Sequence, residues 1–179
     1  MRAFYFFLWL RWVVRVSLCS FILALVSSLF LTFYIYFKQG LPSLSTDVFI
    51  ALFDIVKFWF PLTWSITLLI ALFRSLKYIF NVEVKGYTLK LLDCSSPEEI
   101  EVIGYGDLVK VWRRWFMLLI WLSGGQMVIA VGILYLFSIY ESVFDWFSIY
   151  VLFGFILSSG YLSIILLAGR CKKVKVIKC

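Results

Sequence analysis

From Val16 to Phe37 the chain runs without a charged side chain, and that run constrains the fold more than any other feature. Water has no place for a helix that is apolar on every side. The hydrocarbon of a bilayer does, because crossing its roughly 30 Å takes about 20 residues at a rise of roughly 1.5 Å each. Three further windows reach or approach that length: Asp54 to Phe73, Trp115 to Tyr140 and Trp146 to Gly169. With 64% hydrophobic residues among 179 and a mean hydropathy of +1.01, one soluble core cannot hide this much apolar side chain. The runs lack the strict apolar and polar alternation of a transmembrane β-barrel. The expected fold is an all-α integral membrane protein with four transmembrane helices (16–37, 54–73, 115–140 and 146–169) and a small α+β cytoplasmic insert between the second and the third.

The first run is too long for the core of a cleaved signal peptide, and its own aromatic stretch, Phe4 to Leu10, precedes it. Val16-Ser17-Leu18-Cys19 faintly resembles a lipoprotein cut, but Leu18 is bulky where a small residue is needed.

Basic residues set the orientation. Arg2, Arg11 and Arg15 precede the first span. Arg74, Lys77, Lys85, Lys90, Lys110, Arg113 and Arg114 lie between the second and third, and Arg170, Lys172, Lys173, Lys175 and Lys178 follow the fourth. Only Lys38 and Lys57 remain for the opposite side, which carries Asp47, Asp54, Glu141 and Asp145. By the positive-inside rule both termini and the insert are expected in the cytoplasm, in a plasma membrane or a bacterial inner membrane. The chain then divides into a first helix pair with an interfacial N-terminal segment (1–73), a cytoplasmic module (74–114) and a second helix pair with a basic tail (115–179).

The net charge of +7 is thereby accounted for without nucleic acid. The insert also holds Glu83, Asp93, Glu98, Glu99, Glu101 and Asp107, so it is nearly neutral, and the basic clusters at span ends suit anionic lipid head groups instead.

Within the first span Ser20, Ala24, Ser28 and Thr32 recur every four residues and predict a face for close helix packing. Arg11 and Arg15 share a face and suit head groups. Gln39 to Ser43 reads as a turn, with Thr46 or Asp47 as the next helix cap. The second span needs Asp54 and Lys57 to reach full length; three residues apart, they predict an ion pair at the membrane edge beside Trp59 and Phe60. A carboxylate near hydrocarbon also raises an ion or proton site at Asp54, but its shallow position and adjacent lysine favour the surface pair. Pro61 removes a helix hydrogen bond near Lys57.

In the insert, Val82 to Leu91 alternates apolar and polar on both sides of Lys85-Gly86, the pattern of a hairpin. Ser96-Pro97-Glu98-Glu99 predicts a helix start. Gly104 and Gly106 would end that helix, and Asp107 would cap a second one that runs unbroken into the third span. Trp112 and Trp115, flanking Arg113 and Arg114, mark the interface there. The third span carries Ser123, Gly124, Gly125 and Gln126, the one strongly polar knot deep in a window. Two readings compete: a broken helix lining a solute path, with Gln126 on the solute, or a close helix crossing in which Gln126 bonds a neighbouring span. The second is preferred, because a path normally recruits several polar groups. Gly154 with Ser158, and Ser159 with Ser163, repeat the small-residue spacing in the fourth span. The tail alternates lysine with valine and isoleucine, as either a basic anchor or a strand that adds to the insert.

Of Cys19, Cys94, Cys171 and Cys179 no two form a Cys-x-x-Cys pair, and the chain has no histidine, so a metal or haem site has few ligands. Free thiols are expected, with Cys171, flanked by Arg170 and Lys172, as a possible palmitoylation position. No nucleophile elbow, phosphate loop, zinc helix or dinucleotide fingerprint occurs. No cofactor and no catalysis are expected. The expected role is a non-catalytic membrane subunit or scaffold, joined to a protein partner or to copies of itself within a transport, secretion or other envelope machine. The alternative is a small oligomeric transporter or channel with its path near Gln126.

Overall fold

The first two expected spans lie inside longer helices, and helices also cover residues 115–137 of the third and 149–169 of the fourth. The computed structural model describes residues 2–40, 45–80, 82–92, 104–137, 147–170 and 174–178, and orders them as α1 (Arg2–Lys38), α2 (Thr46–Lys77), β1 (Tyr87–Leu91), α3 (Tyr105–Phe137), α4 (Ile149–Arg170) and β2 (Val174–Lys178). All four helices are long and apolar enough to cross a membrane. At roughly 1.5 Å per residue α4 is about 33 Å long and matches the hydrocarbon thickness, whereas α1, α2 and α3 run about 48 to 55 Å and exceed it. The surplus of α1 is its aromatic N-terminal segment; that of α3 is the polar start through Arg114.

Local chemistry sets the helix ends. Ser45 caps α2, its hydroxyl accepting from the Val48 N–H at 3.3 Å, so the cap falls one residue before the expected Thr46 and two before Asp47. Ser148 does the same for α4 through the Val151 N–H at 3.4 Å. The end of α1 turns at Gly40, whose φ of 80° is open to a residue without a Cβ. In α3 the first helical bond runs from the Leu108 N–H to the Gly104 carbonyl at 3.1 Å. Gly106 and Asp107 are therefore inside the helix and do not precede it; the turn already begins at Gly104. Residues 41–44, the expected helix at Ser96-Pro97, and residues 138–146, which include the end of the expected third span and the start of the fourth, lie outside the described residues.

The chain forms two compact units, Met1–Val13 with Ser75–Cys179, and Val14–Arg74. In the second unit α1 and α2 are sewn together by small polar side chains. Ser20, Ala24, Ser28 and Thr32 are all buried. Ser20 accepts from the Trp64 indole N–H at 3.1 Å, and its carbonyl accepts from the Thr67 hydroxyl at 3.1 Å. The Ala24 carbonyl lies 3.2 Å from the Thr63 hydroxyl. Buried hydroxyls satisfied in this way let two backbones approach without leaving polar atoms stranded. Helix α2 continues through Pro61.

In the first unit the stripe starts earlier. Phe4, Leu8 and Trp12 are buried, while Phe6, Phe7 and Leu10 are exposed, so the segment expected at the interface contributes one side chain in each turn to a core. Leu76, Leu89, Leu91, Leu108, Val111, Trp115, Ile164, Leu167 and Val174 are buried in the same unit.

The sheet corrects the expected hairpin. Lys85 and Gly86 do form a tight turn, with φ of 53° and 75° and reciprocal Val84–Tyr87 backbone bonds of 2.9 and 3.1 Å. Two consecutive positive φ values mark the turn type that suits hairpins. Yet the arm before it contributes only a bridge at Val84, and β1 instead pairs antiparallel with β2 from the tail, Leu89 opposite Val176 and Leu91 opposite Val174. That register gathers Leu89, Leu91, Val174 and Val176 on one face and leaves Lys90 and Lys175 on the other, which is what alternating lysine and valine in the tail requires.

Candidate functional site

The polar knot sits on an unbroken helix. Residues 123–126 are α-helical with the rest of α3, because the i to i−4 backbone bonds do not depend on the missing Cβ atoms; adjacent glycines cost about 1 kcal/mol each relative to alanine without forcing a break. Two hydrogen bonds link this stretch to α4. The Ser123 hydroxyl donates to the Ser159 hydroxyl at 3.0 Å in a buried position, and the Ser158 hydroxyl reaches Gln126 Oε1 at 2.7 Å on the exposed side. Ser158 also lies 3.0 Å from the Phe155 carbonyl, so its single proton serves two acceptors. Among the described residues the Gln126 amide nitrogen has no partner.

Among the described residues a Cβ built at Gly124, Gly125, Gly132 or Gly154 meets nothing within 4 Å beyond its own stretch of helix. Gly125 and Gly132 lie seven residues apart, hence on one face of α3, and both are exposed. The two four-residue pairs of α4 separate likewise: Ser159 and Ser163 are buried, Ser158 and Gly154 exposed.

Asp54 and Lys57 come together at 3.4 Å and remain 65% and 63% exposed. The lysine ammonium also lies 4.5 Å from the centre of the Phe53 ring. Counting back about 20 residues from Arg74 places Asp54 at the edge of the hydrocarbon, not its middle. The knot and the ion pair belong to different compact units.

A third place carried no obvious signal in the sequence. Trp12 is buried at the centre of an aromatic junction: its indole N–H donates to the Ser75 hydroxyl at 3.0 Å, its ring meets Trp115 edge to face at 5.7 Å, and it rests directly on Gly160, where an added Cβ would fall inside the ring's van der Waals surface. One turn earlier the Trp9 indole N–H donates to the Leu157 carbonyl at 2.8 Å, and its ring meets Tyr161 edge to face. These contacts are structural packing rather than chemistry. The only hint in the sequence is that Phe4, Leu8, Trp12 and Val16 continue, with large side chains, the four-residue spacing of Ser20 to Thr32.

Among the described residues no three cysteine, aspartate or glutamate side chains approach closely enough to hold a metal ion. Cys19 is a free thiol; Cys94, Cys171 and Cys179 lie outside the described residues. No family model, curated protein or solved structure matches the chain.

Proposed function

We propose that this chain is a non-catalytic subunit of a larger membrane assembly, held to its neighbours within the bilayer through the Gly125, Gln126 and Gly132 face of α3 and, at one end of the helices, through the small module that β1 and β2 build. The observation that carries this reading is the half-buried Gln126 amide near the middle of α3, whose nitrogen has no partner among the described residues. A primary amide facing lipid with unused donors is costly, and a neighbouring helix that supplies an acceptor removes the cost. The glycines beside it leave room for that helix's backbone. The proposed orientation puts both termini and the module in the cytoplasm of a plasma membrane or bacterial inner membrane, on the distribution of lysine and arginine.

The assembly is tested by native mass spectrometry of the full chain released in mild detergent. The expected result is a stable oligomer or a stoichiometric protein partner, lost in Gln126→Leu and in Gly125→Leu while the helical circular dichroism is unchanged. A chain that is monomeric and alone in every mild detergent sinks the proposal. Solute flux in liposomes containing this chain alone, abolished by Gln126→Leu, would move the role from subunit to transporter or channel. Reporter fusions at Gly86 and Ser142 test the orientation; signals on the sides opposite to those proposed would invert it.

A further inference from the structure

Beside the exposed flank of α3 lies a cavity of about 620 Å³ whose described lining includes Lys110, Arg113, Arg114, Met117, Leu118 and Trp121. That volume falls within the ~300–1,000 Å³ typical of small-molecule sites. Its chemistry changes along the helix. The cationic groups all come within the first turn or so, and the apolar ones follow over the next two turns on the same side, as spacings of three, four, seven, eight and eleven residues from Lys110 require. From Lys110 to Trp121 the rise is about 16 Å, close to the depth of one leaflet, since the whole hydrocarbon core is about 30 Å.

We infer that this cavity is a binding site for an acidic glycerophospholipid, with the phosphate held by Lys110 and Arg113 and the start of an acyl chain lying along Met117, Leu118 and Trp121. Charge complementarity selects an anion. Among the described residues no carboxylate pairs with Lys110 or Arg113, so their donors are available to a phosphate, and the guanidinium of Arg113 can grip two of its oxygens at once. The apolar half selects a lipid over a free phosphate. Met117 is 52% exposed and Trp121 75% exposed, and a soluble anion would leave that surface uncovered, whereas an acyl chain covers it. The indole at the deeper end supplies a flat, rigid wall for methylene groups.

The test uses the purified full chain in mild detergent, read by native mass spectrometry after addition of phosphatidylglycerol, phosphatidylcholine or glycerol phosphate. One phosphatidylglycerol per chain is expected to survive at collision energies that strip phosphatidylcholine, and an excess of glycerol phosphate is expected not to displace it. Neutralising both cations in Lys110→Gln/Arg113→Gln should weaken phosphatidylglycerol retention roughly 25-fold, at about fivefold for each basic residue removed. The charge-matched control Lys38→Gln/Lys85→Gln should retain the lipid within about threefold of the unaltered chain, which separates loss of the site from loss of net charge, and unchanged helical circular dichroism in both variants separates it from loss of folding. Equal retention of the two lipids overturns the proposal, and so does equal loss in the charge-matched control. Displacement by glycerol phosphate overturns the assignment to a lipid.

Discussion

Gly160 and Gly124 are the same residue in the same kind of helix, and the chain uses them in opposite ways. At Gly160 the missing side chain is replaced by the Trp12 ring, itself held by Ser75 and Trp115. At Gly124, and at Gly125 and Gly132 beyond it, no other described part of the chain comes within 4 Å of where a side chain would begin, the helix's own neighbouring backbone aside. A glycine filled from inside is part of one molecule's core. A glycine left open on an apolar helix is a place where a second molecule can come close, and the polar amide of Gln126 beside it gives that molecule something to bond. The contrast separates what holds this chain together from what is proposed to hold it to others.

The sharpest way to break the contrast is Gly160→Leu. Its side chain has to occupy the volume of an indole that cannot step aside without losing the bond to Ser75, so the expected cost is about 3 kcal/mol, at the upper end of the range for overpacked cores. Thermal unfolding in detergent reads it. A variant that melts with the unaltered chain would mean that the Trp12 contact is soft and that the two glycines do not differ.

A double-mutant cycle sharpens the same point with a smaller signal. Gly160→Ala alone is expected to destabilise by about 1–2 kcal/mol, and in a Trp12→Ala background that penalty should vanish, because the ring it collides with is gone. The coupling energy isolates the contact from whatever else each substitution does. Additive effects would place the cost of Gly160→Ala somewhere other than the ring.

At the open glycines the sign reverses. Gly124→Ala meets no neighbour and gains helix propensity, so the isolated chain should become more stable by up to about 1 kcal/mol. Destabilisation of the monomer by Gly124→Ala would show that the empty space is filled by the chain itself.

Why one glycine and not the other was legible follows from what each contact leaves in the sequence. The knot at Ser123 to Gln126 stands out because polar residues are rare inside an apolar window. Its neighbours Ser158 and Ser159 stand out for the same reason, and the buried stripe from Ser20 to Thr32 shows itself by spacing. Gly160 has no such contrast, being a small residue among small residues, and its partner is far away in sequence on a segment whose aromatic residues also fit a membrane interface. Tryptophan suits both the interface and a core, so Trp9 and Trp12 read as anchors until their hydrogen bonds to Leu157 and Ser75 show them facing inward. The tail strand was legible as an alternative, since alternating lysine and valine fits a two-faced ribbon. Its displacement of the first hairpin arm was not, because pairing between β1 and β2 depends on where α3 and α4 deliver the tail. Ser45 rather than Thr46 or Asp47 caps α2, a one-residue choice that spacing alone does not decide among adjacent capping residues.

The smallest expected effect belongs to Asp54 and Lys57, which calibrate the rest. Their contact is 3.4 Å and both side chains are mostly exposed, so most of what the pair gains in attraction is screened or lost to side-chain entropy. Asp54→Asn keeps the shape and removes the charge, and unfolding measured in detergent should shift by less than about 0.5 kcal/mol. The lysine does not become stranded, because its ammonium still lies over the Phe53 ring and remains in contact with water or head groups at the membrane edge. A shift of the size expected at Gly160 would place Asp54 in a dry, structured setting. In that setting a carboxylate becomes a candidate for ion or proton traffic, and the division between an inert edge and a sticky middle of the helices would have to be redrawn.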